Sequence, residues 1–90
     1  MSNKYARNVD LNQAEIVAGL REQDIQVVLM HTVGAGFPDL ICARNGQAWF
    51  VEVKGSKGRL TPAQKRFHSE WRGPKILVVR SLSEALEVIG

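Results

Sequence analysis

Apolar residues first recur regularly at Leu11, Ala14, Val17, Ala18 and Leu20, a helical spacing that ends near Gln23 and predicts an amphipathic helix. Asp10 with Gln13 three residues later is a capping-box-like start for it. Residues 1–9 carry no apolar period and read as a flexible arm. Residues 25–31 (Ile25 to His31) are rich in β-branched and aliphatic side chains and read as a strand. A loop with two glycines, 32–36, follows. Pro38 holds Phe37 extended, so the next strand opens at Asp39 and runs to Arg44. Asn45-Gly46 is a strong hairpin signal, because a type I′ turn needs two successive residues that tolerate positive φ. Residues 47–54 form the return strand.

The stretch 55–60 is a basic, glycine-rich loop without the spacing of a phosphate-binding P-loop. Thr61-Pro62-Ala63-Gln64 then opens a second helix, with Thr as N-cap and Pro at its first position. That helix runs to about Trp71, and Phe67 and Trp71 form its apolar stripe. Residues 75–80 read as a fourth strand. Ser81, with Glu84 three residues on, starts a last helix carrying Leu82, Ala85, Leu86 and Ile89. The element order is α-β-β-β-α-β-α, an α/β fold. The helix between the third and fourth strands makes that pair parallel, so the four-stranded sheet is mixed. Both faces of the hairpin are largely apolar: Leu40, Cys42, Trp49, Val51 and Val53 on one, Ile41, Ala43, Ala48 and Phe50 on the other. Such a sheet needs helices on both sides.

The hairpin register brings chemistry into view. A two-residue turn makes Arg44 and Gln47 the closing pair, and every later pair keeps the sum of those two numbers, so Asp39 opposes Glu52. Directly opposed residues have Cβ atoms about 4.5–5.5 Å apart, and like charges there are unfavourable. Lys54, two residues past Glu52, points to the same face. A divalent cation removes the repulsion, since Mg²⁺ is held by one or two carboxylates with water and substrate phosphate. The plain alternative is a sheet end where both carboxylates are solvated.

Gly36-Phe37-Pro38-Asp39, followed one hairpin later by Glu52-Val53-Lys54, resembles the PD-(D/E)xK nuclease signature. Glu15 on the preceding helix, Gly36 at the Gly-x-Pro-Asp spacing and Gln64 on the next helix narrow the likeness. Over residues 11–89 the chain resembles the VRR-NUC family (virus-type replication-repair nucleases) in its stand-alone form. The resemblance implies a restriction-endonuclease-like core and a metal-dependent DNA endonuclease that hydrolyses phosphodiester bonds. Asp39 and Glu52 would hold Mg²⁺ or Mn²⁺, with the Val53 carbonyl as a third ligand and Glu15 as an outer ligand or water contact. Lys54 would position or deprotonate the water, or steady transition-state charge. Gln64 would serve at the active site, although its place in the capping box is a sufficient structural reason for it. Stand-alone relatives are similar to junction resolvases, which implies branched DNA such as four-way junctions as substrate and a homodimer carrying two sites. A nucleic-acid-binding module without turnover is the alternative on the same fold. A protein-interaction domain with an incidental acid pair would bind no divalent ion.

Charge sharpens the picture by its distribution. The chain has 12 Lys and Arg against 9 Asp and Glu, a net charge of only +3. Between Lys54 and Lys75, however, seven bases stand against the single acid Glu70. A basic stretch beside a carboxylate pair suits a phosphodiester, and Lys57, Arg59, Lys65 and Arg66 are the candidate phosphate contacts. Ninety residues make one domain with a small core, which a dimer would reinforce through the first strand or the terminal helices. The single cysteine, Cys42, reads as a buried hydrophobe. His31 reads as structural and His68 as surface or substrate-facing, with no zinc-ligand spacing around either. No apolar run is long enough to span a membrane and the N-terminus has no signal-peptide pattern, so a cytoplasmic, intracellular protein is expected.

Overall fold

The computed structural model describes residues 4–90. Its elements are α1 (Lys4–Glu22), β1 (Gln26–Leu29), β2 (Leu40–Arg44), β3 (Gln47–Val53), α2 (Pro62–Glu70), β4 (Leu77–Val79) and α3 (Leu82–Ile89). The sheet order is β1-β2-β3-β4, antiparallel across the first two pairings and parallel between β3 and β4. The α-β-β-β-α-β-α order and the mixed sheet are those expected from the sequence. Strands are shorter than expected at their ends. Met30 no longer belongs to β1, yet its N–H still donates to the Asp39 carbonyl at 2.8 Å.

The first helix departs from expectation in two ways. It begins at Lys4, not at Asp10, so residues 4–9 extend the helix where an arm was expected. No proline or glycine interrupts that stretch, and a potential cap residue does not oblige a helix to start. Residues 1–3 of the expected arm lie outside the described residues. The buried face is also rotated. Ile16, Val17 and Leu20 enter the core, whereas Leu11, Ala14 and Ala18 are exposed. The large Ile16 side chain takes the core position because it buries more apolar surface than alanine does.

The hairpin register is as the turn dictates: Arg44 pairs Gln47, Cys42 pairs Trp49 and Leu40 pairs Val51. Asn45 and Gly46 both have positive φ, 52° and 80°, as a type I′ turn requires. One face of the sheet presents Leu40, Cys42, Val51, Val53 and Val79 to Ile16 and Leu20 of α1 and to Ala85 and Ile89 of α3. This is the aliphatic core. Cys42 is fully buried there as a free thiol, and burial pushes its pKa up to about 11, so it packs as a hydrophobe.

The opposite face is covered by α2 through aromatic rings. Phe50 meets Trp71 edge-on at 5.2 Å between centroids, Phe37 meets Phe67 at 5.4 Å, and Phe67 stacks on Trp71 at 5.4 Å. No residue of α2 itself is fully buried. The flanks of this face stay open, with Val28 44% and Val78 39% exposed. Among the described residues, no helix is long and apolar enough to cross a membrane.

Candidate active site

At one end of the sheet the chain passes from β1 through the Gly-x-Pro-Asp turn into β2, and β3 ends beside it. Gly36 makes the turn possible. Its φ is +81°, and a Cβ there would run into the Ala63 carbonyl and the Gln64 N–H. Glycine therefore lets the turn lie directly against the first turn of α2. The same α2 start is locked by a full capping box: the Thr61 hydroxyl accepts from the Gln64 N–H at 3.2 Å, and Gln64 Oε1 accepts from the Thr61 N–H at 2.9 Å. Turn and cap together fix Asp39 and Gln64 relative to each other.

Asp39 Oδ2 accepts from the Val53 N–H at 2.8 Å, so this carboxylate is tied to the end of β3. Glu52 next to it is 0% exposed, the only buried charged residue among those described. Gln64 Nε2 donates to Glu52 Oε2 at 3.1 Å while the other end of the same amide stays in the capping box. One side chain thus both caps α2 and holds Glu52. Glu52 Oε1 has no hydrogen-bond partner among the described residues, and His68 Nε2 stands 3.7 Å from it. Burial first, and then Asp39 beside it, push the Glu52 pKa up to about 9; Lys54 pulls the other way. The His68 pKa is lowered by burial and by the Lys54 charge.

Asp39, Glu52, Val53, Lys54 and Gln64 line one cleft of about 750 Å³, walled by Gln13, Ala14 and Val17 of α1. Arg21, Leu29 and His31 also border it. His31 is therefore a cleft residue, where only a structural role was expected. Glu15 is not brought to this cleft. It lies exposed beside a separate hollow with Leu11, Asn12, Gly55, Ser56 and Arg80. The rotation of α1 that buries Ile16 carries Glu15 away from the pair. Another α1 residue ties the helix to the strand ends, a role not foreseen: the Asn12 amide donates to the Lys54 carbonyl at 3.0 Å and to the Arg80 carbonyl at 3.1 Å.

Lys57, Arg59, Lys65 and Arg66 are exposed and outside the cleft lining. Lys57 and Arg59 belong to a loop that Arg80 pins, its guanidinium donating to the Gly55 and Gly58 carbonyls at 2.6 and 2.7 Å. His68 was expected at the surface or toward substrate, yet its Nε2 is turned inward to Glu52. The sequence held a signal for this: His68 is four residues after Gln64, on the same helix face.

The residues fit a hard divalent cation. Two carboxylates converge, one of them fully buried with an unpartnered oxygen and a strong preference for its neutral form in the absence of a cation. No group of three or more His, Cys, Asp or Glu side chains is placed to share a metal among the described residues. Two carboxylates are as many as Mg²⁺ commonly takes from a protein, with the other positions left to water and phosphate.

The sequence model of one family, described as the VRR-NUC domain, matches residues 3–80. A solved structure described as a VRR_NUC domain is similar with a TM-score of 0.72 and 28% sequence identity, over 91% of this chain and 94% of that one. No curated protein matches the sequence.

Proposed function

The chain belongs to the VRR-NUC family and has its nuclease-type fold, and from that premise we infer that it is a Mg²⁺- or Mn²⁺-dependent DNA endonuclease. The observation that carries this reading is Glu52, buried beside Asp39 with one oxygen unpartnered. Asp39 and Glu52 would hold the ion, with the Val53 carbonyl as a further ligand. When bound, such an ion supplies charge relief to the phosphoryl oxygens and acidifies a water for attack. Asp39 is oriented for its part by the Val53 N–H, and Glu52 by the Gln64 amide. Lys54, bordering the same cleft, would hold the attacking water or take its proton and balance charge as the bond to the leaving oxygen breaks. Lys57, Arg59, Lys65 and Arg66 would hold the flanking phosphates. Glu15 stands at the loop after Lys54 and is left out of the ligand set.

Branched DNA such as a four-way junction is the substrate this reading favours, cut by a homodimer, because one chain carries one site and paired symmetric cuts need two. The open flanks of the α2 face at Val28 and Val78 offer apolar surface for a second copy. Purified protein incubated with a junction, a flap and a plain duplex in Mg²⁺ tests the proposal. Cleavage of the junction in paired nicks, lost with EDTA, is the expected result. DNA binding without cleavage in either Mg²⁺ or Mn²⁺ would favour a binding module on the same fold.

A further inference from the structure

Two buried polar atoms, one on the cleft residue Glu52 and one on His68 of α2, face each other, and neither has a hydrogen-bond partner among the described residues: Glu52 Oε1 and His68 Nε2, 3.7 Å apart. Buried polar atoms are nearly always paired, so two orphans directed at each other call for a physical reason. His68 lies one helical turn after Gln64, on the same face of α2. Gln64 already donates to Glu52 Oε2 at 3.1 Å, and His68 stands at the other oxygen.

We propose that His68 is the second arm of a clamp that α2 places on Glu52. The imidazole tautomer with its proton on Nε2 donates to Oε1, the Gln64 amide donates to Oε2, and the two together fix the plane of the carboxylate. The gap of 3.7 Å is longer than the N–H···O range of about 2.7–3.2 Å, so the clamp requires the two groups to close by about 0.5 Å. Asp39, held by the Val53 N–H, then meets a Glu52 with only one way to face. His68 touches neither substrate nor reacting atoms in this arrangement; it is a positioning residue. The inference rests on the reading of Asp39 and Glu52 as a metal-holding pair. Carboxylate ligands are themselves commonly held by hydrogen bonds, and loss of such a partner costs about 10–100-fold in metal affinity or activity.

The test measures Mn²⁺ affinity by calorimetry on the wild-type chain and on His68→Ala, His68→Gln and His68→Asn, with circular dichroism to report folding. His68→Ala should bind Mn²⁺ about 10–100-fold more weakly, and its turnover on DNA should fall while KM for DNA holds. His68→Gln should recover most of the affinity, because its amide N–H reaches the place of Nε2. The shorter His68→Asn should not. Wild-type affinity in a folded His68→Ala overturns the inference, as does an equal loss in the Ala and Gln variants. If His68→Ala does not fold, the contrast between Gln and Asn decides alone. A wild-type chain that binds no Mn²⁺ sinks the metal pair itself and this clamp with it; normal wild-type binding with unaltered variants sinks only the clamp.

Discussion

The two faces of the sheet are built differently. Under α1 and α3, Leu40, Cys42, Val51 and Val53 lie between 0% and 2% exposed, packed by Ile16, Leu20, Ala85 and Ile89. Under α2 the cover is a line of aromatic rings with no fully buried α2 residue, and Val28 and Val78 stay open at its flanks. Yet the most deeply buried ionisable group, Glu52, belongs to the α2 face, where strand alternation places it beyond Phe50. The aliphatic side is where stability accrues. The aromatic side holds Glu52 of the proposed metal pair, and its thinner packing lets Gln64 and His68 come down onto that carboxyl group.

The largest effect should follow from removing the pair itself. Asp39→Ala and Glu52→Ala should each abolish cleavage, with urea unfolding in EDTA at a pH above about 9, where Glu52 ionises, showing a stability equal to wild type or higher, since repulsion and a buried charge are relieved there. Lys54→Ala should come next, with kcat falling steeply and KM for DNA held, because its role is concentrated in the transition state. A loss confined to KM would make Lys54 a binding residue only.

Core substitutions sharpen the contrast between faces. Leu20→Ala in the aliphatic layer should cost about 2–5 kcal/mol in urea unfolding. Phe67→Ala on the aromatic side should cost less stability but more activity per unit of stability lost, because α2 carries Gln64 against Glu52. Equal stability losses with equal activity would erase the distinction between the faces.

The pH dependence follows from Glu52. Its pKa rises from an ordinary 4.5 to about 9 on folding. Between those values the folded chain keeps a proton that the unfolded chain has lost, so metal-free stability should fall as pH rises through that window. His68, with its pKa lowered, acts in the opposite direction below its ordinary 6.5. Glu52→Gln should flatten the Glu52 slope, and denaturation midpoints in EDTA at several pH values check this. The smallest effects belong to the exposed bases. Neutralising Lys57, Arg59, Lys65 or Arg66 one at a time should weaken DNA binding across sequences and lower the log–log salt slope by about 0.9 per lost phosphate contact.

The hairpin was legible in the sequence because the Asn45-Gly46 turn determines register, and register alone sets Asp39 against Glu52. Gln64 was legible as a cap, and the same amide also reaches Glu52. The rotation of α1 was not legible. Ala14 and Ala18 sit at helical spacing as plausibly as Ile16 does, and only the packed sheet decides which goes inside. That decision removed Glu15 from the pair and left Asn12 bridging the ends of β3 and β4. For His68 the i+4 spacing from Gln64 was the one available signal, because a helix with no fully buried residue gives little apolar period to mark its inward face.

Thermal unfolding of the wild-type chain, Asp39→Asn and Glu52→Gln, with and without saturating Mn²⁺, tests the central claim most directly. Binding to the folded state alone raises Tm by mass action. Mn²⁺ should raise Tm of the wild type and leave both variants where they were, with the metal-free variants melting no lower than the metal-free wild type. A wild-type Tm indifferent to Mn²⁺, or an equal rise in all three proteins, would contradict it.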